Sequence, residues 1–166
     1  MSDLYNSLYR ELEPDRFGKA DDGPDPLKLA AGLAFEAYLE RVLQGGHEEI
    51  QRPGEFTVKV QKTLLTFSPD LLIFNGTLRV GEIKWTWMSS KGAPEHPKFD
   101  KWFTQMKAYC HHLGTRLARL YVYFACGDYT YPLTPQFHVY DTEFTPQELQ
   151  ENWDMLVNHG IAKGLL

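Results

Sequence analysis

Three acidic residues and one lysine stand where folding alone gives them little reason to be. Glu36 falls inside an apolar helical repeat, four residues after Gly32 and three before Leu39. A lone carboxylate in such a stripe must be paired, protonated or bound to a cation, because desolvating it is costly. Asp70 follows Pro69 and opens the apolar run Leu71-Leu72-Ile73-Phe74. Glu82 and Lys84 are two apart, and period-two alternation puts Leu78, Val80, Glu82 and Lys84 on one strand face. Each has an ordinary explanation by itself: a glutamate snorkelling at the edge of a stripe, a strand-entry turn, a strand end that becomes solvated. Taken together they point to chemistry. Asn75-Gly76 is a strong hairpin signal, and it lays the strand after Asp70 beside the strand that carries Glu82. Two carboxylates joined by a third from a packed helix make an oxygen-rich pocket. Such a pocket suits a hard cation, Mg²⁺ or Mn²⁺, that keeps several waters and accepts phosphate oxygens. A lysine beside it can hold a phosphate oxygen or activate an attacking water.

The elements that must position these groups are legible in outline. Residues 1–26 read as an N-terminal arm, with Leu4, Leu8 and Leu12 spaced for a short amphipathic helix, broken by Asp21-Asp22-Gly23-Pro24-Asp25-Pro26. Residues 27–166 read as a single domain. Leu27 to Leu43 is helical, with Leu29, Gly32, Leu33, Leu39 and Leu43 sharing a stripe, and Gly45-Gly46 ends it. Phe56, Val58 and Val60 alternate as a strand. Leu71 to Phe74 reads as a strand buried on both faces, and Leu78 to Lys84 is a third strand. After a loop from Trp87 to Pro97, a second long helix runs from Phe99 to Gly114. Leu120 to Ala125 reads as a central strand and Phe137 to Phe144 as a further one. Thr145-Pro146-Gln147-Glu148 opens the last helix with a capping box. The order α-β-β-β-α-β-β-α predicts an α/β fold, a mixed sheet flanked by helices.

At these positions the chain resembles a known family. Pro69-Asp70 followed by Glu82-Ile83-Lys84 resembles the signature of the PD-(D/E)XK nuclease superfamily, and Glu36 is similar to its first acidic position. Gln105-Met106-Lys107-Ala108-Tyr109 resembles the Q-x-x-x-Y element of the branch with the RecB nuclease domain, the CRISPR adaptation nucleases and the lambda-type exonuclease. The resemblance covers roughly residues 27–126 and implies a restriction-endonuclease-like α-β-β-β-α-β core. It implies that Glu36, Asp70 and Glu82 ligate Mg²⁺ or Mn²⁺, with the Ile83 carbonyl as a further ligand, and that Lys84 positions or activates water. It also implies that Gln105 and Tyr109 orient Lys84 or contact a nucleic-acid strand. Lys101 lies on the same helix flank, with a solvated flank as the alternative. The loop with Trp85, Trp87, Lys91, His96 and Lys98 could stack on and clamp a strand, or its tryptophans could pack back onto the sheet.

Composition narrows the choice. Lys plus Arg number 17 and Asp plus Glu 22, a formal charge of −5, which excludes a polybasic protein that holds nucleic acid by bulk charge. It does not exclude a nuclease with a local basic groove. Aromatic residues make up 14%, which argues against disorder. Two cysteines, Cys110 and Cys126, are too few for a disulfide framework or a four-thiolate iron–sulfur cluster. The six histidines, His47, His96, His111, His112, His138 and His159, show no zinc spacing. No stretch of about 18 apolar residues suggests a membrane span, and the first ten residues lack a signal-peptide core, so a cytoplasmic protein is expected. The leading expectation is a metal-dependent deoxyribonuclease, an exonuclease of phage or bacterial DNA recombination or processing, acting on DNA alone, as a homo-oligomer or with a recombination partner. The alternatives are a catalytically silent nucleic-acid-binding or assembly subunit of the same fold, and a small-molecule or structural protein whose carboxylates are plain surface charge.

Overall fold

A computed structural model describes residues 1–17, 25–46 and 48–166. The expected break at Asp21-Asp22-Gly23-Pro24, and His47, lie outside the described residues. The elements run α1 (Ser2–Leu12), α2 (Pro14–Phe17), α3 (Pro26–Gln44), β1 (Glu49–Gln51), β2 (Phe56–Val60), β3 (Thr63–Phe67), β4 (Leu71–Phe74) and β5 (Leu78–Thr86). A 3₁₀ turn at Ser90–Gly92 precedes α4 (Pro97–Leu113), β6 (Leu117–Phe124), β7 (Gln136–Glu143) and α5 (Pro146–Ala162). The fold is a mixed α/β arrangement, a five-stranded sheet of order β1-β4-β5-β6-β7 flanked by helices. Only the β5–β6 pair is parallel, and α4 is its crossover. The other pairs are antiparallel.

The Asn75-Gly76 hairpin forms as the sequence predicts. Phe74 pairs with Leu78, and Gly76 takes φ +73°, which a glycine adopts without a Cβ penalty. The sheet has two unlike faces. On one, Val80, Leu120, Val122 and Phe124 pack against α4 residues Phe99, Met106 and Cys110 in the main core. On the other, Leu71, Ile73, Ile83 and Tyr121 pack under Leu39 of α3. Thr145 and Glu148 make the expected capping box at the start of α5.

Three expectations need correction. Phe56–Val60 is not a strand of the main sheet. It pairs with Thr63–Phe67 in a separate two-stranded ribbon, and the sheet position beside β4 is taken by Glu49–Gln51. Phe56 and Phe67 stack in that ribbon with ring centroids 5.3 Å apart, so its apolar residues are satisfied outside the sheet. The α3 stripe is also shorter than its spacing suggests. Leu39 is its one buried residue, whereas Leu29 and Leu33 are exposed, because only the second half of α3 lies over the four-residue β4 and the middle of β5. Strand β4 is not buried on both faces: Leu71 and Ile73 are buried, but Leu72 and Phe74 only partly, since on that face α4 packs over β5 and β6. The first helix of the N-terminal arm packs on the domain core. Leu4, Leu8 and Tyr9 join the main cluster, and α1 packs on α4 and α5, while Leu12 points outward.

Candidate active site

The hairpin register decides the geometry of the candidate site. Leu71 pairs with Gly81, so one step further along the same ladder brings Asp70 opposite Glu82. The Asp70 carboxylate accepts a 2.7 Å hydrogen bond from the Ile83 backbone N–H, which fixes it across the ladder from Glu82. The two strands come unusually close here. A Cβ built on Gly81 would lie 2.9 Å from the Leu71 Cβ.

Val80 and Glu82 lie on the α4 face of β5, as alternation requires. Glu82 is 1% exposed. Its Oε1 accepts a hydrogen bond from the Lys84 ammonium, and its Oε2 is buried with no partner among the described residues. Burial pushes the Glu82 carboxyl up to about 7, Lys84 opposes this, and Asp70 adds to it. Burial alone would lower the pKa of Lys84. The adjacent Glu82 and Asp70 carboxylates more than offset that, so the ammonium is held above its ordinary value.

The Q-x-x-x-Y pair is buried rather than a solvated helix flank. Gln105 donates to the Tyr109 hydroxyl at 2.7 Å, and that hydroxyl reaches the Ser68 carbonyl at 3.4 Å, two residues before Asp70. Burial and then the nearby Glu82 charge raise the Tyr109 pKa, so its hydroxyl remains a neutral donor. Gln105 and Tyr109 thus tie α4 to the segment that leads into Asp70. Gln105 also lines an open cleft of about 300 Å³ with Lys84, Trp85, Lys98, Lys101 and Trp102. Trp87 stands beside that cleft, 41% exposed, with its ring packed edge-on against Trp85 at 4.9 Å.

Glu36 is the exception. Its carboxylate pairs with Arg52 at 2.6 Å, and Arg52 also reaches Glu40 at 3.4 Å. Burial and then the Asp70 charge hold the Glu36 carboxyl above its ordinary pKa, and Arg52 and Lys84 act against that, so Glu36 shares the field of the site. It does not join Asp70 and Glu82 in a ligand cluster. Among the described residues no group of three His, Cys, Asp or Glu side chains is gathered closely enough to hold a metal ion. Arg52 had no signal in the sequence, since it sits in the irregular segment Arg52-Pro53-Gly54 between β1 and β2.

The donor set still suits a hard cation in part. Two carboxylates face each other across one ladder, and one buried oxygen of Glu82 lacks a partner. Such an oxygen is costly to leave unsatisfied and is free to ligate a cation. Asp70 and Glu82 would hold the ion, whereas the Glu36 carboxylate is taken up by Arg52.

No protein-family model matches the sequence, and no curated protein matches it. Solved structures do. The chain is similar to an alkaline exonuclease (LHK-Exo) from Laribacter hongkongensis, with TM-score 0.56 and 17% identity, over 88% of this chain and 71% of that one. It is also similar to the protein SSO0001, with TM-score 0.53 and 14% identity, over 94% of this chain and 72% of that one. At these identities the likeness is one of fold: the mixed sheet and its flanking helices are arranged as in an alkaline exonuclease. No helix among the described residues is long and apolar enough to cross a membrane.

Proposed function

We propose that the chain is a metal-dependent deoxyribonuclease with exonuclease activity, hydrolysing DNA phosphodiester bonds with Mg²⁺ or Mn²⁺. The observation that carries this reading is Glu82: a carboxylate buried to 1% exposure, bound to Lys84 by one oxygen and unpartnered at the other, across the ladder from Asp70. Folding alone would replace so costly a group, because breaking even with an apolar side chain is the best a buried ion pair usually does. The likeness of the fold to an alkaline exonuclease supports the same reading.

In this reading Asp70, Glu82 and Glu36 are the metal's side-chain ligands, with the Ile83 carbonyl as a further one. The bound ion supplies charge neutralisation and an activated water. Lys84 holds a non-bridging phosphate oxygen or the attacking water, and the Glu82 and Asp70 charges keep it protonated for that purpose. Gln105 and Tyr109 hold the Ser68–Asp70 segment in register, and Lys101 and Trp87 contact the nucleic acid.

The test is incubation of the purified chain with linear, nicked and closed-circular DNA in Mg²⁺, Mn²⁺ or EDTA. Linear DNA should be degraded with either metal, closed circles should survive, and EDTA should stop the reaction. Asp70→Asn and Glu82→Gln should be inactive. They should also lose the rise in melting temperature that Mn²⁺ gives the unaltered protein by binding the native state. A second reading is favoured by one contact, the Arg52–Glu36 pair, which occupies the third acidic group. On that reading the chain is a nucleic-acid-binding or assembly subunit without turnover, and it binds DNA but leaves it intact with every metal.

A further inference from the structure

The cleft beside Lys84 has an aromatic wall. Tyr5 of α1 and Phe17 of α2 line it, together with Trp85 and Trp102. The Lys101 ammonium stands 5.6 Å from the Tyr5 ring centroid and 5.0 Å from that of Phe17. A cation over two aromatic faces is held in place rather than left to sample its rotamers.

Lys98, Lys101 and Gln105 are spaced i, i+3 and i+7 on α4, and so share one ridge. Seven residues of helix rise about 10 Å, so the ridge runs from the cleft rim inward to the residues beside Lys84. Lys98 has no carboxylate within salt-bridge distance among the described residues, and the Lys28 cation repels it. Crowding by the cleft walls and then that repulsion lower its pKa. Two lysines in line, one lacking a counter-ion and one held by rings, are arranged for successive anions on a polymer. Four aromatic rings around them offer stacking faces. The cleft, about 300 Å³ and open to solvent, offers these rings to bases that are not already stacked in a duplex.

We propose that the α4 ridge Lys98–Lys101, walled by Tyr5 and Phe17, is a backbone track for one unpaired DNA strand, so that substrate enters the site as a single strand. The proposal rests on the nuclease reading for what happens at the inner end of the track, but not for the track itself.

Binding is measured in EDTA, by fluorescence anisotropy with a labelled deoxythymidine 12-mer and with a blunt duplex of the same length, over a range of salt. The single strand should bind more tightly than the duplex. Lys98→Ala and Lys101→Ala should each weaken it about threefold to tenfold, and each should lower the slope of log affinity against log salt by about 0.7, the release expected per phosphate contact on a single strand. Tyr5→Leu and Phe17→Leu should weaken binding about fivefold or more with a smaller change in slope, because they remove stacking. Tyr5→Phe, which keeps the ring, should restore most of the loss and guards against a folding defect in Tyr5→Leu. Wild-type affinity and slope in both lysine variants, duplex bound as tightly as single strand, or no binding by the unaltered protein would each overturn the track. DNA cleavage by the unaltered protein with normal binding by the variants refutes the track alone. Loss of binding in the variants with no cleavage under any metal refutes the nuclease reading and leaves the track standing.

Discussion

Gly81→Ala is a small substitution aimed at the joint between fold and site. The added Cβ would meet the Leu71 Cβ at 2.9 Å and the Ile73 Cδ1 at 3.2 Å. Comfortable carbon contacts are about 3.5–4.0 Å, so β4 and β5 must part by roughly 0.6–1.1 Å at this pair. The Ile73 contact is the end of a side chain and can turn away. The Leu71 contact cannot, since a Cβ moves only with its backbone. Overpacking of this kind costs about 1–3 kcal/mol. The substitution also restricts the unfolded chain, which returns about 0.4–1 kcal/mol. The expected net loss is about 1–2 kcal/mol, or roughly 2–8 °C in Tm for a domain of this size.

The displaced residues are the immediate neighbours of Asp70 and Glu82. Parting them by about 1 Å should therefore cost cleavage far more than stability, on the order of a hundredfold. Urea unfolding in EDTA gives the first quantity, and linear-DNA degradation under saturating Mn²⁺, well below the Tm, gives the second. Wild-type stability together with wild-type cleavage would show that the close approach of the two strands does not position the carboxylates.

Three further outcomes follow from the same geometry. Lys84→Ala should keep Mn²⁺ binding by calorimetry and lower cleavage about a hundredfold or more, Lys84→Arg should not rescue it, and cleavage at the wild-type rate would remove Lys84 from the chemistry. Its stability cost at pH 7 should be only about 1–2 kcal/mol, below the ~3–5 kcal/mol of a broken buried pair, because Glu82, already pushed up to about 7, can take a proton. Arg52→Ala should release Glu36 and tighten Mn²⁺ binding several-fold at a stability cost of about 0–1 kcal/mol, since Arg52 is largely solvated; weaker metal binding would show that Arg52 does not compete for the ligand. His112 is packed against Trp153 at 4.2 Å and Phe67 at 4.8 Å, and burial, then His111, lowers its pKa to about 4. The unfolded chain, at about 6.5, takes the proton first, so this group adds nothing above pH 6.5 and stability falls as pH drops from there to about 4, by at most about 3 kcal/mol. His112→Phe should flatten that part of a pH–stability curve measured by urea unfolding, and an unchanged slope would refute the assignment.

The parts of this design written in local chemistry were readable in advance. Asn75-Gly76 placed Asp70 beside Glu82 because a tight turn leaves the pairing register little freedom, and the observed Phe74–Leu78 closure follows. The capping box of α5 formed because both partners lie within four residues of chain. What stayed hidden depends on contacts between distant segments. Alternation at Phe56–Val60 identifies a strand but not its partner, and the ribbon partner Thr63–Phe67 carries an exposed Leu64 that weakens its own signal. Nothing local tells that α3 overhangs the sheet, so Leu29 and Leu33 read as core although they are exposed. The Arg52–Glu36 pair joins residues 16 apart through an irregular segment, where periodicity has nothing to say. Tyr5 and Phe17 reach Lys101 from elements more than eighty residues away in sequence.

The net charge of −5 and a cleft for an anionic polymer are compatible because electrostatics at a site is local. At physiological salt the screening length is about 8 Å. Many of the acidic groups are already spoken for by cations elsewhere: Glu48 by Arg119, Asp141 by Arg119 and Arg79, Glu143 by Arg116, Glu11 by Lys163. These pairs are neutral at a distance and do not reach the cleft. The cleft itself is lined by Lys98 and Lys101 at the entrance and by Lys84, paired with Glu82, at the inner end. A phosphate entering therefore meets positive charge first and carboxylates only at the end of the path. On the nuclease reading proposed above, Asp70 and Glu82 would repel a bare phosphate unless a divalent cation were bound with them. Strand affinity measured without metal should thus report the lysines, whereas Mn²⁺ should strengthen the hold on the innermost phosphate alone.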